Sequence, residues 1–137
     1  MATERKHSEL YQTGMKVRRQ VLGDAYVDAA LAQSSAVTEP LQELVTEFAW
    51  GGVWGRPGLP LRTRSLINIA MLTALNRPTE LRLHLRGALR NGCTQEEIGE
   101  VLLQTTAYCG FPAAIDGFRV AREVFESQSG EAGPEHE

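Results

Sequence analysis

Apolar residues in this chain recur at intervals of three and four, and period-two alternation is nowhere sustained, so the pattern predicts helices almost throughout and no strands. Leu10, Gly14, Val17 and Val21 form the apolar edge of a first helix over about residues 4–22, ended by Gly23. A short second helix is expected over residues 24–34. Thr38 as N-cap, with Pro40 in the first turn, opens a third that runs through Trp50 and should stop at Gly51-Gly52. Residues 53–60, Val-Trp-Gly-Arg-Pro-Gly-Leu-Pro, read as a loop because prolines and glycines crowd them, and a loop carrying Trp54 is a candidate lid or pocket wall.

Residues 61–75 are apolar all round their central turns, through Leu66, Ile67, Ile69, Ala70, Met71, Leu72, Ala74 and Leu75, which predicts a helix buried on every side. In a chain this small such a helix serves as core, as subunit interface, or as both. The next helix begins after Asn76-Arg77-Pro78 and closes at Asn91-Gly92, with glycine in the C′ position. Thr94-Gln-Glu-Glu97 is a capping box for a helix reaching Cys109, and Gly110 with Pro112 divides it from a last helix ending near Ser127. Residues 128–137 are polar and predicted to be a disordered tail. The expectation is an all-α chain of about six or seven helices, with residues 1–127 as a single domain.

Composition narrows the function classes. With 137 residues and 42% apolar side chains the chain can fill one core. No apolar run of about 18 residues and no basic-then-apolar leader are present, so the expected address is the cytoplasm, without membrane contact. Cys93 and Cys109 form neither a C-x-x-C nor half of a zinc site. The net charge of −3 argues against nucleic acid as a partner. That average conceals a basic middle: residues 56–90 hold seven arginines against Glu80 alone. Twelve arginines against two lysines reflect either genome composition or forks that bind planar carboxylates bidentately.

The chemistry concentrates on one helix. At 100° per residue, Glu80, His84 and Asn91 fall within about 40° of one another, beside the apolar stripe of Leu81, Leu85, Ala88 and Leu89. An acid and an imidazole at the lip of a core suit proton transfer near neutral pH; a hydrogen-bonded structural histidine is the plainer alternative. Arg62 and Arg64 stand in the first turn of the preceding helix, where the macrodipole disfavours cations. Something anionic should compensate, either a ligand carboxylate or a glutamate such as Glu43, Glu47 or one from a neighbouring subunit. Arg82, Arg86 and Arg90 read as a solvated or interface face, and the single Glu-x-x-x-His does not make a metal site.

Several stretches carry a family resemblance: Val-Leu-Gly-Asp-Ala-Tyr-Val-Asp at 21–28, Leu-Gln-Glu-Leu-Val-Thr-Glu-Phe-Ala-Trp-Gly at 41–51, Trp-Gly-Arg-Pro-Gly-Leu at 54–59, and Arg-Thr-Arg-Ser-Leu at 62–66. To these are added Ala-Leu-Asn-Arg-Pro-Thr-Glu-Leu-Arg-Leu-His at 74–84 and Leu-Leu-Gln-Thr-Thr-Ala-Tyr-Cys-Gly-Phe-Pro-Ala-Ala at 102–114. Over roughly residues 8–127 the chain resembles the carboxymuconolactone decarboxylase family. The resemblance implies an alkylhydroperoxidase D-like helical fold, a homo-oligomer (hexamer or trimer), no cofactor, and conversion of γ-carboxymuconolactone, a dicarboxylate lactone, to β-ketoadipate enol-lactone and carbon dioxide in the protocatechuate branch of the β-ketoadipate pathway. Peroxidase-type relatives carry a C-x-x-C four residues before the histidine. Here those positions are Arg77 and Glu80, and Ser65 stands where their relay has a carboxylate, so disulfide-based peroxide chemistry is not expected. Within this resemblance His84 is cast as proton donor near pKa ~6.5, with Glu80 orienting it or raising its pKa. Arg62 and Arg64 are cast as carboxylate binders, and Trp50, Trp54 and Phe111 as groups that exclude water. Another lactone, a thiol-linked peroxidase or redox protein, and a non-catalytic binding module are the alternatives.

Overall fold

The computed structural model describes residues 7–132, and every regular element among them is helical. Ser8 starts α1 (Glu9–Leu22): its hydroxyl accepts from the Tyr11 backbone N–H at 3.0 Å. The helix therefore begins later than the apolar edge alone predicts. Gly23, at φ 88°, turns the chain into α2 (Asp24–Ala32). Then α3 (Glu39–Leu44) runs without a break into a π-helical segment, Val45–Trp54.

That segment overturns the predicted stop at Gly51-Gly52 and the predicted loop from residue 53. The reason is packing. A side chain on Gly14 would run into the Thr46 carbonyl oxygen and lie 2.8 Å from the Gly51 nitrogen, and one on Gly51 would run into the Leu10 carbonyl. These glycines serve close backbone approach between α1 and the π segment, and that contact outweighs their low helix propensity. Arg18 adds a polar tie, with Nη1 donating to Gln42 Oε1 at 2.9 Å and to Thr46 Oγ1 at 3.2 Å while buried. Trp54 accordingly ends a helix and is no loop lid.

The helices group into two compact units, Met1–Pro60 and Leu61–Glu137, so the contacts divide the chain at the end of the Pro/Gly-rich stretch. In the second unit α4 (Leu61–Ala74) and α5 (Pro78–Arg90) are joined by a turn in which Asn76 takes φ 56°. The capping box at Thr94 forms as expected, with Thr94 Oγ1 accepting from Glu97 N and Glu97 Oε1 from Thr94 N, and it opens α6 (Gln95–Cys109). Ile69, Leu81, Leu85, Ala88, Ile98, Leu102 and Val124 fill the core among α4, α5, α6 and α7 (Phe111–Ala132).

Two expectations change here. α4 is not buried on every side: Ser65, Ile69 and Thr73 are buried, while Ile67 and Met71 face outward in the single chain, as does Leu75 in the turn that follows. α7 continues to Ala132, past the predicted end near Ser127, because Ser-Gln-Ser-Gly contains no proline to stop a helix already propagating. The remainder of the predicted tail, residues 133–137, lies outside the described residues. Among the described residues no helix is long and apolar enough to cross a membrane.

Candidate active site at the α4–α5 seam

The face of α4 that meets α5 is apolar at Ile69 and polar at Ser65 and Asn68, one helical turn apart. Opposite them stand His84 of α5 and Asn91, the residue that caps its C-terminal end, two turns apart. Asn91 Nδ2 donates to Ser65 Oγ at 2.9 Å, and Asn68 Nδ2 meets His84 Nδ1 at 3.3 Å. Rising numbers on α4 pair with falling numbers on α5, so the helices run antiparallel and the two contacts are rungs of one seam. Ser65 is fully buried, and its partnering satisfies a hydroxyl that would otherwise be costly.

His84 is half-buried on this seam. Burial pushes its imidazole from 6.5 down to about 4, because the charged form loses solvation. The Glu80 carboxylate, one turn back on the same helix and exposed, acts in the opposite direction without reversing the shift. The expectation of a proton stored near 6.5 is thereby corrected: at neutral pH His84 is a neutral imidazole, one nitrogen donating and one accepting.

Arg62 is engaged. Its guanidinium forms an ion pair with Glu97 of α6, and its carbonyl accepts from Cys93 Sγ at 3.4 Å. The anion that compensates this cation at the N-terminus of α4 is thus Glu97, already in the capping box, rather than Glu43 or Glu47. Arg64 is half-buried, one turn before Asn68 on the same helix face. Phe111 opens α7 and is largely exposed. Trp50 and Trp54 belong to the first unit, where they are buried and stacked with ring centroids 4.8 Å apart. The structure therefore joins His84 to Asn68 and Arg62 to Glu97, and leaves Glu80 as a neighbouring charge.

A hollow of about 440 Å³ lies between the α4–α5 turn and α7, walled by Asn76, Arg77, Arg82, Asp116, Arg119 and Glu123, without His84. Its charges largely cancel: Arg82 pairs with Glu123 at 2.7 Å and Arg119 with Asp116. The seam carries the titratable chemistry, so the candidate site is placed there. Among the described residues no three His, Cys, Asp or Glu side chains gather into a metal-binding set.

Asn68 is the participant that sequence reading missed, because one amide inside an apolar run does not disturb its pattern. Its position was nevertheless a signal: an amide half-buried by packing must find a polar partner.

The chain is 44% identical over 116 residues, 85% of its length, to the 4-carboxymuconolactone decarboxylase of Acinetobacter baylyi, covering 87% of that protein. It is 44% identical over 118 residues, 86% of its length, to the nitrosuccinic acid decarboxylase of Metarhizium robertsii, covering 82% of that protein. A 4-carboxymuconolactone decarboxylase of Pseudomonas putida matches over 41 residues at 46% identity, 30% of this chain and 85% of that one. The model of the carboxymuconolactone decarboxylase family matches residues 39–123, the span that holds both rungs of the seam, and the chain belongs to that family.

Proposed function

We propose that this chain is a carboxy-lyase that decarboxylates 4-carboxymuconolactone to the enol-lactone of β-ketoadipate in the protocatechuate branch of aromatic catabolism. The observation that carries this reading is the 44% identity, spread over 85% of the chain, to an enzyme of that name. In the reaction the bond from the γ-carbon to its carboxylate breaks, carbon dioxide leaves, and the electron pair passes through the ring double bond onto the lactone carbonyl oxygen. One proton is then taken up at the ring carbon next to that carbonyl. The protein must supply a donor at the oxygen where charge develops, and a cation for the acetate arm.

A neutral imidazole fits the first need. It polarises a carbonyl by donating an N–H without first having to hold an extra proton, and a bound substrate's negative charge draws its pKa upward. Arg64 serves as the cation for the acetate arm. Arg62 joins it when a substrate carboxylate displaces Glu97. In this reading Phe111 shields the bound lactone from water, and Glu80 modulates His84. Chains associate through the outward face of α4 and the turn after it, where Ile67, Met71 and Leu75 leave apolar surface that a second copy would cover. Nothing in the reaction calls for a cofactor.

One observation favours a second substrate. Nitrosuccinic acid, named for the Metarhizium relative, is also a diacid whose carboxylate adjoins an electron-accepting group. The nitro oxygens would take the place of the lactone oxygen, with the rest of the site unchanged. Dithiol peroxide chemistry fits less well. Cys93 and Cys109 are free, and they stand at opposite ends of α6, about 20 Å apart by helical rise, beyond disulfide reach within one chain.

Carbon dioxide release and ultraviolet absorbance, followed with purified protein, each candidate substrate and added chelator, test the reading. Turnover of the lactone in chelator is expected. Turnover of nitrosuccinate alone would transfer the assignment to the second substrate, and loss of turnover in chelator would remove the cofactor-free chemistry.

A further inference from the structure

We infer that Asn68 is a positioning residue, whose side-chain amide donates to Nδ1 of His84 and so fixes the imidazole as the tautomer with its proton on Nε2. The proposal deepens the function proposed above and rests on it only for its catalytic consequence.

The geometry places Asn68 Nδ2 3.3 Å from His84 Nδ1. An amide nitrogen has hydrogens to give and no lone pair to offer, so the ring nitrogen facing it must accept. A neutral imidazole that accepts at one nitrogen carries its hydrogen on the other. The second rung holds this arrangement in register. Asn91 donates to the fully buried Ser65 Oγ at 2.9 Å, which ties the C-terminal end of α5 to the first turns of α4 and keeps the helices from sliding.

The identity of residue 68 is then chemically informative. An aspartate there would accept from Nδ1–H, impose the opposite tautomer and favour the imidazolium. Asparagine does neither: it holds the ring neutral and leaves Nε2 as the donating atom. For a reaction that collects charge on a carbonyl or nitro oxygen, a fixed N–H donor is the useful form, and a ring with the wrong tautomer presents a lone pair to that oxygen instead.

Solid-state NMR of the intact protein, labelled with ring-¹⁵N histidine at pH 7 and assigned by comparison with His84→Gln, reads the tautomer directly. Nδ1 of His84 is expected in the unprotonated range and Nε2 in the protonated range. Asn68→Asp should move Nδ1 into the protonated range, and Asn68→Ala should give a mixture. Protonated Nδ1 in the unmodified protein, or protons on both nitrogens, overturns the inference. In steady-state assays Asn68→Asp should lose about a hundredfold in kcat and Asn68→Ala only severalfold, in step with its share of the wrong tautomer, each with little change in KM; unaltered kcat in Asn68→Asp overturns the catalytic consequence. If the unmodified protein turned over neither substrate, the proposed function would fail, while the tautomer would still be decided by the spectrum.

Discussion

Acid should destabilise this protein in a way traceable to one ring. His84 titrates near 4 in the folded chain and near 6.5 when unfolded, because burial disfavours its cation. Above pH 6.5 neither state holds the proton and His84 contributes nothing to pH dependence. Between the two values the unfolded chain binds the proton and the folded one does not, so stability falls as pH drops from about 6.5 and levels off below about 4. The gap between 6.5 and about 4, at about 1.4 kcal/mol per pH unit, amounts to about 3 kcal/mol. The assay is urea unfolding from pH 7.5 to 4 at fixed protomer concentration, since association would otherwise contribute. His84→Gln is the reference, because it retains the carboxylates whose titration is common to both proteins. With a slope of about 2 kcal/mol per molar, the midpoint of the unmodified protein should fall by about 1.5 M more than that of the variant. Parallel curves across this range would refute the argument, as would a His84 titration midpoint near 6.5.

Other perturbations read different parts of the structure. Gly14→Ala drives a methyl group into the Thr46 carbonyl across the α1–π contact, and should cost about 3 kcal/mol because backbone cannot yield as a side chain can; calorimetry checks this. Glu97→Gln keeps an acceptor for the Thr94 cap but removes the charge that holds Arg62. Stability should change by less than about 1 kcal/mol for so exposed a pair, while KM for a dicarboxylate should fall severalfold if Arg62 binds substrate and stay fixed if it does not. Met71→Glu puts a charge on the outward face of α4, and light scattering should report a smaller assembly with helical content unchanged.

Much of the helical plan was legible because local rules acted alone. Gly23, the Thr94–Glu97 box and Gly92, which takes φ 93°, place helix ends through capping and left-handed backbone that neighbouring elements do not alter. The phase that put His84 of α5 and its C-cap Asn91 on one side was also local. The π-helical run through Gly51-Gly52 was not. Its glycines signal a break to any local reading, and only the approach of α1, with Gly14 against Thr46, makes a continued helix the better solution. The one-sided burial of α4 was likewise hidden, since an apolar composition does not say which faces find partners within the chain.

The candidate site divides in the same way. Sequence by itself supplied the family resemblance, the acid and imidazole one turn apart, and the cations at the start of α4. Tertiary structure alone decided that Glu97 holds Arg62, that Asn68 meets His84, and that burial leaves the ring neutral. Residue identity and helical phase are written along the chain. Solvation and hydrogen-bond partnership depend on what another helix brings within a few ångströms, and that is known only once the helices have packed.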